Sequence, residues 1–371
     1  MKQVLKEIAD RSAGWVELRY HRRLQNRFTV QKGRVDAADS SVNAGVGVRV
    51  LENGSWGFAS SADTERGAIE KAVEQARASA REGAKLRREK IAPLPATELA
   101  TEDLVLDGYE ELSNKALDEK LEAVLEMEKA TKVRSEQIHT VSSSYTEMFE
   151  EKTIVTSDGA AASQKLVRPE LRLAAFASGE GDHTVAGNSL GVTGGWQCLF
   201  DHHRAQGIVE QTARQAVELL GAPHLTGGKA TVILEPSIVG LLSHEAIGHT
   251  VEADFVQSGS VAAGKIGHEV ASDLVTLCDA GGMEYGGYPG GAIPFDDEGV
   301  PAGKTKVIDR GKLVSYLHNR ESAAAFGVAP TGNGRAWLYS DEPLIRMRNT
   351  YIEPGTQSLE EIIASTEQGY L

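Results

Sequence analysis

Residues 221–255 read GAPHLTGGKATVILEPSIVGLLSHEAIGHTVEADF, and the character of the chain changes within them. The opening eight residues hold three glycines and a proline, which no regular element tolerates, so they divide the chain. We read two α+β domains. Residues 1–221 form an N-terminal mixed domain with antiparallel sheet and helices; residues 222–371 form a loop-rich, β-dominated C-terminal domain. At the head of the second, KATVILEPS (229–237) reads as a buried strand and IVGLLSHEAIGHTVEADF (238–255) as a helix.

Upstream, the first residues form a short amphipathic helix with Val4, Leu5 and Ile8 on one stripe. WVELRYHRR (15–23), NRFTVQKGRVDAADS (26–40) and NAGVGVRVLENGSWGFASS (43–61) are strand-like, with turns at Gly33 and at Asn53-Gly54. A helix follows from Asp63 to about Lys85, with Asp63 or Thr64 as N-cap and Ala68, Ile69, Ala72, Val73 and Ala76 facing the core. Pro93 and Pro95 make residues 91–113 a connector. A second helix covers about 114–131. Segments near 136–149, 151–157, 163–178 and 184–197 suggest an antiparallel meander, and a third helix runs over roughly 202–220. Downstream of the divide, residues 280–303 are mostly loop. No solenoid period is present.

Hydrophobic residues make up 41% and charged residues 25% of the 371, the mix of a soluble globular protein. The net charge of −14, from 39 basic and 53 acidic residues, argues against a nucleic-acid partner. The two cysteines, Cys198 and Cys278, offer no disulfide framework and read as small core residues. The N-terminal segment is charged and unlike a signal peptide, and no stretch has the ~20 apolar residues of a membrane helix. The expected location is the cytoplasm.

The chemistry sits at His244, Glu245 and His249. In H-E-x-x-H the histidines lie about 40° apart around a helix, so both rings reach one zinc ion and the glutamate serves its water. Here the spacing is H-E-x-x-x-H, which places the second ring about 140° from the first. Two distortions would reunite them: a π-bulge, which absorbs one residue, or loosening of the helix at Gly248. Otherwise the histidines are independent helical residues. If zinc binds, Glu245 is the general base and amide or peptide hydrolysis is the natural reaction.

Other motifs carry less. GSVAAGKI (259–266) lacks the hydroxyl of a phosphate loop and GVPAGKT (299–305) is one residue short, so nucleotide binding is set aside. FDDEG (295–299) reads as a solvated acidic loop beside the cleft. His318 is a candidate for steadying a scissile carbonyl, or else a structural histidine. His202, His203 and His268 read as surface residues.

Four stretches together support a family resemblance: GVGVRVLENGSWGFAS (45–60), HEAIGHTVEADFV (244–256), PFDDEGVPAGKTKVIDRGKLVSYLHNRESAAAFG (294–327) and RMRNTYIEPG (346–355). The chain resembles the TldD/PmbA metallopeptidases, and its complete H-E-x-x-x-H matches the TldD-type catalytic subunit. The resemblance implies a cytoplasmic zinc peptidase acting on unfolded or small peptides, in a family that matures a peptide antibiotic and degrades a small antitoxin. It implies His244 and His249 as zinc ligands and Glu245 as general base. The old label "modulator of DNA gyrase" describes a phenotype and implies no DNA binding. The resemblance also implies a dimer, either of identical chains or with a related PmbA/TldE-type subunit. Catalytic members continue past the point matching Leu371 into a glycine-rich part with a cysteine as third zinc ligand. On that reading the domain from 222 is incomplete and no third ligand is identifiable in this chain. The alternative is a metal-free, non-catalytic partner or scaffold subunit.

Overall fold

The computed structural model describes residues 1–179, 181–200, 204–224, 226–282 and 289–370. The first part of the chain follows from alternation along its strands. In chain order it comprises α1 (Lys2–Arg11), β1 (Trp15–Gln31), β2 (Arg34–Glu52), β3 (Ser55–Ser61), α2 (Arg66–Leu86), β4 (Asp103–Val105), α3 (Tyr109–Asn114), α4 (Leu117–Lys132), β5 (Ile138–Thr156), β6 (Ala161–Gly179), β7 (Asp182–Gly191), α5 (Gln197–Phe200) and α6 (Arg204–Glu218). The strands make one sheet in the order β3-β2-β1-β5-β6-β4, with β7 also on β6. All neighbours are antiparallel except β4, which runs parallel to β6. The turn at Asn53-Gly54 has positive φ at both residues (53° and 73°), the conformation of a type I′ hairpin.

Side chains of a strand alternate between the two faces of its sheet. In β1, Val16, Leu18, Phe28 and Val30 share one face, which is covered by helices. α1 and α2 bury Leu5, Ile8, Ile69 and Val73 there, against Val16, Leu18, Val46, Val48 and Val50. α4 and α6 cover the other end, packing Val124, Ile208 and Val209 on Phe28, Tyr145 and Leu171. Each such aliphatic side chain contributes roughly 1.5–3 kcal/mol by leaving water.

The opposite face carries Glu17, Arg19, His21 and Arg23, and it is also buried (2%, 1%, 1% and 7% exposed). The later part of the chain covers it. Gly45 and Gly47 alternate with the valines of β2, and a Cβ at either would lie about 2.5 Å from an atom of Tyr339 or Ser61, so only glycine permits this contact. Arg19 donates to the carbonyls of Leu338 (3.2 Å) and Asp341 (2.5 Å). Phe295 joins Ile154 and Ala162, while Ile293 and Ala302 join Leu166.

The later part comprises α7 (Pro236–Leu242), a π turn (Ser243–Gly248), a 3₁₀ turn (His249–Val251), α8 (Ala253–Gln257), β8 (Leu277–Ala280), β9 (Lys304–Asp309), β10 (Lys312–Leu313), α9 (Arg320–Phe326), β11 (Gly334–Arg335), β12 (Leu344–Ile345), β13 (Asn349–Ile352) and α10 (Leu359–Ala364). Its small sheet has the order β10-β9-β8-β13, and β11 pairs with β12 apart from it. Its core gathers Val251, Val256, Leu277, Val307, Leu317 and Met347.

Several expectations change. Residues 229–237 are not a buried strand: Val232 makes one isolated bridge to Tyr370, Val232 and Leu234 are exposed, and no strand among the described residues runs beside them. The helix expected over 238–255 is four short pieces, α7, the π turn, the 3₁₀ turn and α8, with an extended Glu252 before the last. The segments read at 136–149 and 151–157 are one unbroken strand, β5. The second helix of the sheet domain starts at Arg66, where the Asp63 carboxylate accepts from Glu65 N–H rather than capping from the helix's first position. FDDEG is not a solvated loop: Asp296, Asp297 and Glu298 are 1%, 1% and 0% exposed. His202 and His203 lie outside the described residues. No helix among the described residues is long and apolar enough to cross a membrane.

Candidate metal centre

Pro236 at the first turn starts α7, whose missing N–H costs nothing there. After Leu242 the helix widens. Over Ser243–Gly248 it is a π turn, in which His249 N–H donates to the carbonyl of His244, five residues back. One extra residue per turn is what the H-E-x-x-x-H spacing requires. The rings of His244 and His249 consequently lie side by side, centroids 4.7 Å apart and planes at 84°. The candidate ligand atoms of His244, Glu245 and His249 all fall within 4.8 Å of one another. Of the two distortions available to the sequence, the π-bulge is the one adopted.

Gly248 has a different use. It keeps ordinary right-handed helical angles (φ −54°, ψ −56°), but a Cβ there would lie 1.9 Å from the sulfur of Met347. The glycine lets the 346–348 segment press against the metal-bearing turn. Together they border a cavity of about 310 Å³ lined by His244, His249, Glu252, Arg335, Trp337 and Met347, among others.

Glu252 was not singled out by sequence reasoning. It is fully buried, and its carboxylate lies 3.5 Å from His249 Nδ1 and 3.8 Å from Arg346 Nη1. Burial pushes its pKa up to about 7, against the pull of Arg346. A carboxylate behind the far nitrogen of a histidine orients the ring and leaves Nε2 for a metal. Its sequence signal is weak but real: an acid three residues after His249, between Val251 and Ala253, both buried.

The structure does not bring His318 to this cavity. The ring is 3% exposed, accepts or donates at Nδ1 with Ser322 Oγ (3.1 Å), and packs near Tyr316 and Phe326. Burial lowers its pKa to about 4, so it is neutral near pH 7. Cys198 and Cys278 are buried away from the cluster, and burial raises the Cys278 thiol to about 11.

The acidic loop lies behind the cavity wall. Asp296 accepts from Glu298 N–H, Val300 N–H and Gly334 N–H, and Asp297 from Ala336 N–H (2.7 Å) and the Lys152 ammonium (2.9 Å to its other oxygen). Glu298 pairs with Arg49 and accepts from Arg320 N–H. Burial raises Asp296 well above the usual carboxylate range, with Glu298 adding to it. Burial acts on Asp297 the same way, but Lys152 and Arg19 outweigh it and hold its pKa below the usual range.

Two imidazoles on one turn, with the Glu245 carboxylate beside them, supply two ligands and a base of the kind a catalytic zinc site uses, so these residues fit part of such a site. Comparison with known proteins identifies the family. Sequence models of the PmbA/TldA metallopeptidases match residues 16–80 (domain 1), 110–220 (central domain) and 227–371 (C-terminal domain). A metalloprotease of Methanocaldococcus jannaschii is 30% identical over 98% of this chain and 78% of its own length. A zinc metalloprotease TldD homolog of Saccharolobus solfataricus is 27% identical over 100% of this chain and 79% of its own. Among solved structures, a candidate modulator of a DNA gyrase from Thermotoga maritima superposes with a TM-score of 0.79 at 23% identity, covering 99% of this chain and 80% of that one. TldE from Thermococcus kodakarensis gives 0.77 at 20% identity, with the same coverage. The chain belongs to the PmbA/TldD metallopeptidase family.

Proposed function

We propose that this member of the PmbA/TldD family is a zinc-dependent peptidase that hydrolyses unfolded or small peptides. The observation that carries the proposal is the π turn, which gathers His244, Glu245 and His249 at the edge of an open cavity. His244 and His249 would hold the metal. Bound there, zinc would polarise the scissile carbonyl and lower the pKa of water towards neutrality. Glu245, next to His244 on the turn and exposed, takes the proton of the attacking water and returns it to the leaving amine. Glu252, 3.5 Å from His249 Nδ1 with no hydrogen bond between them, is placed to orient that ring as the site takes up its metal. The small cavity favours an extended chain over a folded protein surface. Exposed Ile238, Leu241 and Leu242 on α7 support assembly with a second polypeptide, a related PmbA/TldE-type subunit or another copy, since such clusters mark interaction surfaces.

The test pairs metal content with turnover. Purified protein should carry zinc, and His244→Ala should lose it. Glu245→Gln should retain zinc while peptide hydrolysis falls by about 10²–10⁴-fold. Hydrolysis that survives Glu245→Gln rejects the assigned base, and protein that takes up no zinc supports the metal-free subunit instead.

A further inference from the structure

The cavity beside the candidate metal turn is also lined by an arginine that pairs directly with no carboxylate among the described residues. Arg335 lines the same cavity as His244 and His249. Its Nη1 donates to the Met347 carbonyl at 2.9 Å. Among the described residues it makes no other hydrogen bond and no ion pair, and its remaining N–H groups are not sealed inside the protein. Its neighbours differ. Arg346 lies against Glu252, Arg348 is paired with Asp279 at 2.8 Å, and Arg168 and Arg23 both reach Glu150.

The residue is also held firmly. Gly334 N–H on one side is fixed by Asp296 and Ala336 N–H on the other by Asp297, both buried carboxylates. Asp297 N–H in turn donates to the Gly334 carbonyl (2.7 Å). A guanidinium anchored at one nitrogen, on backbone clamped at both flanks, is preorganised for a ligand. Burial and nearby Arg168 disfavour its charge; the carboxylates of Glu150, Asp297 and Asp279, none of them within ion-pair distance, offset this only in part, so an arriving anion would relieve the site.

We propose that Arg335 is the anion-binding residue of this cavity and receives an anionic oxygen of the peptide held beside His244 and His249. Two oxygens have this chemistry: the terminal carboxylate of a short peptide, and the oxyanion that develops at a scissile carbonyl. The proposal deepens the peptidase reading and rests on it for the identity of the ligand as a peptide.

The test measures binding, so it needs no turnover. Zinc-free protein is titrated calorimetrically with an N-acetylated dipeptide as free acid and as amide. Zinc-loaded protein is titrated with an amide-capped phosphinic peptide, whose charged oxygens imitate the tetrahedral oxyanion. Arg335→Gln should weaken one of the two anionic ligands by about ten- to a hundredfold, the worth of a charged hydrogen bond, and leave the neutral amide unchanged. Loss confined to the free acid identifies the terminal carboxylate; loss confined to the phosphinic peptide identifies the oxyanion. Arg335→Lys, which keeps the charge, should retain part of the preference and guards against a misfolded variant. Equal affinity of parent and Arg335→Gln for all three ligands overturns the proposal, as does an equal loss for acid and amide. A protein without peptidase activity that still prefers acid to amide through Arg335 would keep this inference and reject the catalytic one.

Discussion

The acidic run at 296–298 and the metal-bearing turn at 244–249 are both short clusters of polar side chains, and the fold treats them oppositely. The acids are buried, and every one has permanent partners: backbone N–H groups, Lys152, Arg49. The metal donors are half-buried or exposed, on a turn flanked by a helix with no buried residue at all. Buried charges persist only when paired and hydrogen-bonded, so the first cluster is structural cement. Groups that must meet a ligand have to stay accessible and uncommitted. The difference between the two regions separates stability from chemistry within one molecule.

Three experiments put that separation to the test. Asp297→Ala removes the partner of buried Lys152 and releases Ala336 N–H, so we expect a loss of about 3–5 kcal/mol in chemical denaturation. Glu245→Gln, on the exposed turn, should change stability by less than about 0.5 kcal/mol. Similar losses for both would erase the distinction.

The second concerns pH. His318 has a folded pKa of about 4 against an ordinary value of 6.5. Between these values the unfolded chain binds the proton and the folded one does not, so stability falls as pH drops from about 6.5 to about 4. The contribution lost is about 3 kcal/mol. Denaturation midpoints measured across that range should slope downward for the parent and less steeply for His318→Gln. Equal slopes would mean that folding leaves the His318 pKa at its ordinary value.

The third experiment lies on the border between the regions. Gly248→Ala forces Met347 aside and should cost about 1–3 kcal/mol by overpacking, at the lower end because methionine is flexible. Because Met347 lines the metal cavity, zinc affinity should fall with it. A variant with parental melting temperature and zinc affinity would show that the glycine has no packing role.

Much of the fold was legible in local pattern. The alternation of GVGVRV, the Asn53-Gly54 turn and the apolar stripe of α2 each declare themselves within a few residues. The widened turn was legible for the same reason, since bringing the histidines of H-E-x-x-x-H together demands one and the π-bulge was one of two geometries that supply it. What failed was burial. FDDEG reads as a solvated loop, but it is sealed against the face of β1 that carries Glu17, Arg19, His21 and Arg23. Each conceals the other from water, and the partners are far apart in the chain: Arg49 with Glu298, Lys152 with Asp297. The buried strand expected at 229–237 failed similarly, because a strand needs a neighbour and none among the described residues lies beside it. Arg335 could not be found at all, since nothing in TGNGRAW distinguishes an arginine that will lack a counter-ion.

By itself, then, the sequence determined what short-range geometry controls: the hairpins, the amphipathic helices, and the turn on which the metal donors sit. Only the tertiary structure decided which charges are sealed into partnerships and which face the cavity. Backbone periodicity is set by neighbours a few residues away, whereas the cost of a buried charge is settled by whichever distant residue arrives to pair with it.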